Sequence, residues 1–501
     1  MEAITFLMHG FENALSWWHL LYCLIGVTVG MFVGVMPGLG PVAGTAILIP
    51  LTFGMDAVSA IIMLSGIYYG AMYGGTITSV LLNTPGEAAS VITCLDGYEM
   101  AKQGKAGKAL GVAAIGSFVG GTIAIVGLTF IAPALADFAL RFGPPEFFAL
   151  MMMGLMMLVG LMGKSLTRGL IAAVIGMLIS LIGIDPISGE ARFTFGTLNM
   201  MNGLEFVAVA MGLFGISEIL LNAEQNMNLD KPAKVKGLFP EKGEWGPTVK
   251  SIGRGTAVGF GVGLMPGANA VIASLLSYTL EKKVAKDPSR FGKGAIEGVS
   301  GPETANNACS GAALIPLFTL GIPSSPTIAV LFGAFIMHGL TPGPALFANN
   351  PDFLWTVIAS LFIGNAMLLI MNLPMAGLWA KIALVPYKLL YPLILILSVV
   401  GVYSVNNSLW DVGVMILFGI IGYFMKKFDI PIAATVLTFV LGPQIESSLL
   451  QSLVLSDGSM LIFFQRPITA VLMSAVLLIL IASVYSGLKN KRGALAGDLE
   501  I

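Results

Sequence analysis

Apolar runs close to the ~20 residues needed to cross a bilayer recur along the whole of this 501-residue chain. They lie at about 17–35, 109–132, 147–163, 169–184, 204–222, 354–374, 389–404, 412–425, 430–445 and 467–488. In hydrocarbon, backbone polar groups must be satisfied within the spanning segment, so unbroken runs of this length are expected to be helices. Composition agrees: 56% of residues are hydrophobic and only 11% charged, against about 25% charged in soluble domains. An ordinary cytoplasmic enzyme is excluded, and the expectation is an all-α polytopic membrane protein. The net charge of −1, with no clustered basic face, leaves nothing to hold nucleic acid phosphates.

Lys and Arg give the orientation, because short cytoplasmic loops are enriched in both. They cluster at Lys102/Lys105/Lys108, Lys164/Arg168, Lys231 through Arg254, Lys282 through Lys293, Lys381/Lys388, Lys426/Lys427 and Lys489/Lys491/Arg492. These are assigned to the cytoplasm. The connectors at 1–16, 54–56, 133–146, 185–203, 339–352, 406–411 and 446–466 are poor in positive charge and are assigned outside. The N-terminus is then external and the C-terminus cytoplasmic. The first basic residue is Lys102, so the run at 17–35 lacks the basic flank of a signal peptide and is read as a retained span.

The chain also repeats itself. Gly34-Val35-Met36-Pro37-Gly38 is echoed by Gly263-Leu264-Met265-Pro266-Gly267, and Asn83-Thr84-Pro85-Gly86 by Gly321-Ile322-Pro323-Ser324-Ser325. The order of Lys-rich and Lys-free connectors reverses between the halves, which is the mark of an inverted-topology repeat with substrate at the meeting point of broken helices. The expected organisation is a first repeat over 1–222, a cytoplasmic connector over 223–254, a second repeat over 255–450, and a final transmembrane helix and tail over 451–501. This amounts to about 11 full spans plus re-entrant segments.

Breaks are expected at 34–41, Gly74-Gly75, 83–86, 298–302 and 321–326, and such breaks survive in a membrane only where protein or a watery cavity surrounds them. Neither 1–101 nor 294–380 contains a Lys or Arg. An anionic substrate there would have to be held by helix N-termini, backbone amides and neutral side chains. The candidate substrate-binding residues are Gly38, Gly40, Asn83, Thr84, Gly86, Gly267, Asn269, Gly321, Ser324 and Ser325, with Thr327 a further hydroxyl. Asn306 and Asn307 can offer carbonyl oxygens to Na⁺ or, alternatively, cap a half-helix. Glu87, Asp96 and Glu303 are the acids nearest the breaks, and an intramembrane carboxylate is a functional candidate by default. An interfacial position is equally open to Asp96, and a proton on Glu87 or Glu303 is the alternative to sodium.

Other strings carry less. Cys23, Cys94 and Cys309 form no C-x-x-C pair and read as buried small hydrophobes. His9, His19 and His338 are too scattered for a spacing-defined zinc site. Gly163-Lys164-Ser165 lacks the first glycine of a phosphate-binding loop, and Gly38-Leu39-Gly40 lacks the strand-turn-helix setting of a dinucleotide site. Gly298-Val299-Ser300-Gly301 matches the short string of intramembrane serine proteases, with His338 as its only available base. That reading is the remote alternative. A channel-like or scaffold protein without coupled transport is the nearer one, and would require a pore lined by polar rings.

The strings Gly34 through Pro41, Tyr69-Gly70-Ala71-Met72-Tyr73-Gly74-Gly75, Asn83 through Gly86, Met265 through Gly267, Gly301-Pro302-Glu303-Thr304-Ala305-Asn306-Asn307 and Leu320 through Pro323 resemble the large membrane subunit of tripartite tricarboxylate transporters, the TctA family. The resemblance covers about residues 15 to 490. It implies a permease of the bacterial inner membrane, not an enzyme and without a cofactor. Such a permease works with a small four-helix membrane subunit and a periplasmic solute-binding protein to import carboxylates such as citrate, commonly with sodium.

Overall fold

A computed structural model of the chain describes residues 2–162, 165–185, 189–224, 235–265, 267, 269–385 and 387–481. The fold is helical, with one two-stranded antiparallel ribbon in which Gly183 pairs with Arg192 and Ile184 with Ala191. Among the described residues, seven helices are long and apolar enough to cross a membrane, accompanied by shorter apolar helices. In chain order the elements that matter below are α1 (Glu2–Ala14), α2 (Trp17–Val35), α3 (Gly40–Leu48), α4 (Ala57–Leu82), α5 (Ala106–Ala139), α6 (Pro144–Met162), α7 (Leu166–Ser180) and α8 (Phe206–Glu224). Then follow α9 (Trp245–Gly263), α10 (Ala270–Val284), α11 (Glu297–Ala312), α12 (Leu314–Leu320), α13 (Pro326–Met337), α14 (Pro351–Ile382), α15 (Tyr387–Asn406), α16 (Leu409–Lys427), α17 (Ile432–Leu455) and α18 (Pro467–Ile481).

Packing repeats between the halves as the sequence does. Gly26, Gly30 and Gly34 on one face of α2 press against the carbonyl oxygens of Met63, Ile67 and Ala71 in α4, where a Cβ would overlap backbone. Gly255, Gly259 and Gly263 on α9 press in the same way against the carbonyls of Gly301, Ala305 and Cys309 in α11. Small residues at a four-residue spacing let two membrane helices approach to backbone contact. The ends of the paired helices also match. Asn83 (φ +52°) and Gly321 (φ +69°) each close a helix in the left-handed conformation. The next amide bonds back six residues, Thr84 to the Thr78 carbonyl and Ile322 to the Pro316 carbonyl, one residue further than in a Schellman cap.

Three expectations are corrected. Gly74-Gly75 is no break: α4 runs through it, because Gly74 admits the backbone of α2 at Gly34 and Gly75 makes room for the Glu87 side chain, whose Cγ would lie 2.6 Å from an added Cβ. Nor is 298–302 a break. It forms the first turns of α11, where Pro302 costs one ladder bond close to the helix start. Residues 1–16 are not a plain connector, since α1 forms and packs on α14 through Phe6 against Trp355 and Phe11 against Phe362. Of the expected breaks at 34–41, 83–86 and 321–326, irregular chain between helices is present at 36–39, 83–86 and 321–325. Gly163-Lys164, most of the 223–254 connector's first part (225–234) and the tail from 482 lie outside the described residues.

Candidate functional site

Three helix N-termini meet at one cavity of about 310 Å³. Leu39, Gly40, Pro41 and Val42 bring the start of α3 to its wall, Asn269, Ala270 and Val271 that of α10, and Ser325, Pro326 and Thr327 that of α13. Each helix begins there because its preceding chain breaks. Asn269 accepts from the Ile272 amide and Ser325 from the Ile328 amide, each as N-cap, while α3 starts from Leu39 without a side-chain cap. Free amides and the helix dipole make such ends favourable to negative charge. Among the described residues no Lys or Arg lines the cavity, and the charged ones that do are Glu87 and Glu218. Glu218 is paired with Lys426. Lys426 in turn borders an adjoining cleft that shares Phe214, Asn269, Val271 and Ala433 with the cavity.

Behind Glu87 lies a fully buried polar cluster joining the two halves. Asn306 Nδ2 donates to Glu87 Oε1 at 2.6 Å. Glu303 accepts from Thr76 at 2.7 Å and also from the Thr93 hydroxyl. Asn307 Nδ2 donates to Ser117 Oγ at 2.7 Å and to the Glu303 backbone carbonyl at 3.2 Å. Because these partners accept, the amides are oriented with their oxygens turned the other way. The Oδ1 atoms of Asn306 and Asn307 and the Tyr69 hydroxyl are buried without a hydrogen-bond partner. A buried acceptor without a donor is costly, and the amides turn their Nδ2 atoms, not these oxygens, toward Glu87 and Ser117. Among the described residues no group of three His, Cys, Asp or Glu is arranged for a metal ion.

The sequence candidates divide by position. Gly40, Asn269 and Ser325 line the cavity, and Thr327 joins them. Gly38 (φ +88°) packs on Asn222, Gly267 (φ +80°) on the backbone of α6, and Gly86 against the Gly34 carbonyl and Gly75. Gly321 borders a separate cavity with Thr341 through Ala345. Buried Ser324 donates to the Ala313 carbonyl at 3.1 Å. Asn83 and Thr84 form the helix cap described above. Asn306 and Asn307 sit within α11, so they cap no half-helix. Asp96 is buried within the protein: its Oδ1 accepts from the amides of Gly292, Gly294 and Ala295 at 2.7–2.9 Å and its Oδ2 from Tyr278. Ser300 Oγ bonds the Ile296 carbonyl, and His338 bonds Thr52, so the protease-like pair is not assembled. Tyr68, Ser310, Thr76 and Thr93 escaped sequence reasoning, since single hydroxyls in distant helices carry no pattern.

One correspondence stands out when the halves are aligned on their caps. Four residues after Asn83 comes Glu87, and four after Gly321 comes Ser325. Both reach the cavity.

The Tripartite tricarboxylate transporter TctA family matches the chain over residues 20–437. The chain belongs to the TctA family. As a TctA protein it is a multi-pass membrane protein and a component of a tripartite transporter, not an enzyme. It is similar to the "uncharacterized 52.8 kDa protein in TAR-I ttuC' 3'region" of Agrobacterium vitis, with 42% identity over 493 residues covering 98% of both chains. A second protein of that organism, the "uncharacterized protein in TAR-II ttuC' 3'region", is 44% identical over 231 residues, 46% of this TctA chain and 96% of its own. No solved structure matches.

Proposed function

We propose that this chain is the large permease subunit of a binding-protein-dependent secondary transporter that imports di- or tricarboxylates of the citrate type together with Na⁺. The supporting observation is the cavity onto which α3, α10 and α13 point their N-termini with no Lys or Arg among the described residues of its wall. Each N-terminus contributes up to ~2 kcal/mol toward a partly buried anion, which is modest against the cost of desolvating several carboxylates. A compensating cation is therefore part of the reading, and the unpartnered Oδ1 atoms of Asn306 and Asn307 are where we place it. The ten candidate residues keep two kinds of role in this proposal: Gly40, Asn269 and Ser325 at the anion, and Gly38, Asn83, Thr84, Gly86, Gly267, Gly321 and Ser324 in shaping the breaks that carry it.

The same reading places the chain in a bacterial inner membrane as an inverted repeat of about 11 spans, with a periplasmic N-terminus. Its partners are a small four-helix membrane subunit and a periplasmic solute-binding protein. A channel would spread polar groups along a pore, whereas here they gather at the cavity and the cluster behind it.

Reconstitution in proteoliposomes tests the proposal. The chain alone should take up little labelled citrate; adding the small subunit and loaded binding protein should restore uptake under a sodium gradient. Full uptake by the lone chain would refute the partner requirement. Full uptake on a proton gradient in sodium-free buffer, abolished by Glu303→Gln, would refute sodium and make Glu303 the coupling site.

A further inference from the structure

One ion pair lies on the border between the cavity and the cleft beside it. Glu218 belongs to the wall of the cavity and Lys426 to that of the cleft, which measures about 470 Å³. Among the described residues lining either space, Lys426 is the one cation. The next pair along, Lys427 with Glu224, joins the same two helices, α8 and α16, and borders neither space. Holding α16 to α8 therefore does not account for where Lys426 and Glu218 stand. Asn269 lines both spaces as well. Its Oδ1 accepts from the Ile272 amide, which leaves its Nδ2 as the donor it can offer. An ammonium and an amide donor beside one open cleft suit a carboxylate, and the charged one of the two makes the stronger bond.

We propose that Lys426 is the release-side anion contact of this transporter, and that Glu218 occupies it until a carboxylate leaving the cavity takes its place. This deepens the function proposed above and rests on it. On the orientation given there the cleft opens at the cytoplasmic end, since Lys426 and the chain at 430–433 line it. A carboxylate reaching the cleft meets a positive charge already paired with a group of its own kind, so the exchange is like for like. Glu218 then keeps the Asn222 Nδ2 at 3.2 Å and water, its side chain being 21% exposed and that of Lys426 25%. An ion pair so exposed contributes only about 0–1 kcal/mol, which leaves the exchange near balance. An unpaired Lys would hold a polyanion more firmly and delay its departure, and product release limits the turnover of many well-evolved proteins. A site that passes its cargo on has to be weak, and pairing Lys426 in advance makes it so.

Equilibrium binding of labelled citrate and succinate to the purified full chain in sodium buffer tests this. Glu218→Gln frees the ammonium and should bind about tenfold tighter, whereas Lys426→Gln leaves a bare carboxylate at the cleft and should bind about tenfold weaker, each the size of one partly screened charge contact. Lys426→Arg, which keeps the charge, should stay close to wild type. Lys427→Gln removes the same charge one residue away and should match wild type. A pair that only tied α8 to α16 would lose stability from either side and gain affinity from neither. The gain in Glu218→Gln is therefore decisive, because a loosened fold does not produce it. Shifts of Glu218→Gln and Lys426→Gln in the same direction, no shift in either, or a Lys427→Gln loss as large as that of Lys426→Gln would overturn the proposal and leave the carboxylate reading standing. If neither citrate nor succinate binds wild type or Glu218→Gln, the carboxylate reading itself falls and Lys426 with it.

Discussion

Gly30 of α2 lies so close to the carbonyl oxygen of Ile67 in α4 that no Cβ fits between them, and Gly259 stands in the same relation to Ala305 in α11. The obstruction is backbone, which cannot rotate away, so either substitution must pry two helices apart. Gly30→Ala and Gly259→Ala should each cost about 2 kcal/mol, within the range of overpacked cores. Gly261→Ala, where an added Cβ meets nothing, should be neutral. Thermal unfolding of the purified protein checks all three.

Asp96 ties the segment before α5 to the chain leading into α11 through three amides and the Tyr278 hydroxyl. Hydrogen bonds to a charged group are each worth more than neutral ones. Asp96→Ala should therefore lose about 3 kcal/mol and speed tryptic cleavage at the exposed Lys286, Arg290 and Lys293 by loosening their loop, while Asp96→Asn, which keeps an acceptor, should be milder. Equal digestion of wild type and Asp96→Ala would show that the tie is not holding that loop.

Asn269 and Ser325 cap the helices that open on the cavity, and Ser324, outside its lining, donates to the Ala313 carbonyl. Removing a cap costs about 1 kcal/mol and loosens the amides aimed at the ligand. Asn269→Ala and Ser325→Ala should raise the KM for carboxylate uptake severalfold, and Ser324→Ala should do so less. The ordering of the three KM values is the measurement, and a Ser324→Ala effect larger than the others would move the site.

The inverted arrangement has its own test. On a cysteine-free background, single cysteines at Lys242 and Asn349 should differ in intact cells: the first shielded from a membrane-impermeant thiol reagent, the second labelled. Equal or reversed labelling would end the inverted-repeat reading.

The spans were legible because apolar runs are long and the basic clusters separate them. The breaks at Pro37-Gly38, Pro85-Gly86 and Pro323 were legible because proline and glycine adjoin there within echoed strings. Gly74-Gly75 and Pro302 were misread for a physical reason. The same letter serves a glycine that ends a helix and one that admits a neighbour's carbonyl, and only knowing that Gly34 and Glu87 face Gly74 and Gly75 tells them apart. The polar cluster was half legible: Glu87, Glu303, Asn306 and Asn307 stood out as polar groups in apolar surroundings, but Thr76, Thr93 and Ser117 come from distant turns and acquire meaning only when folding brings them to the carboxylate and the amide.

The pairing of Glu87 with Ser325 at equivalent places has an evolutionary consequence. A chain built of two copies can diverge one arm at a time, because changing the residue that follows the first cap leaves the hydroxyl, the amides and the helix start of the other arm in place. On the function proposed above, relatives that carry a different acid would differ around Ser325-Pro326-Thr327 and keep the first cap with the residue that follows it. Each arm of the cavity wall is written in its own stretch of the gene, so selection can alter one without rebuilding the other.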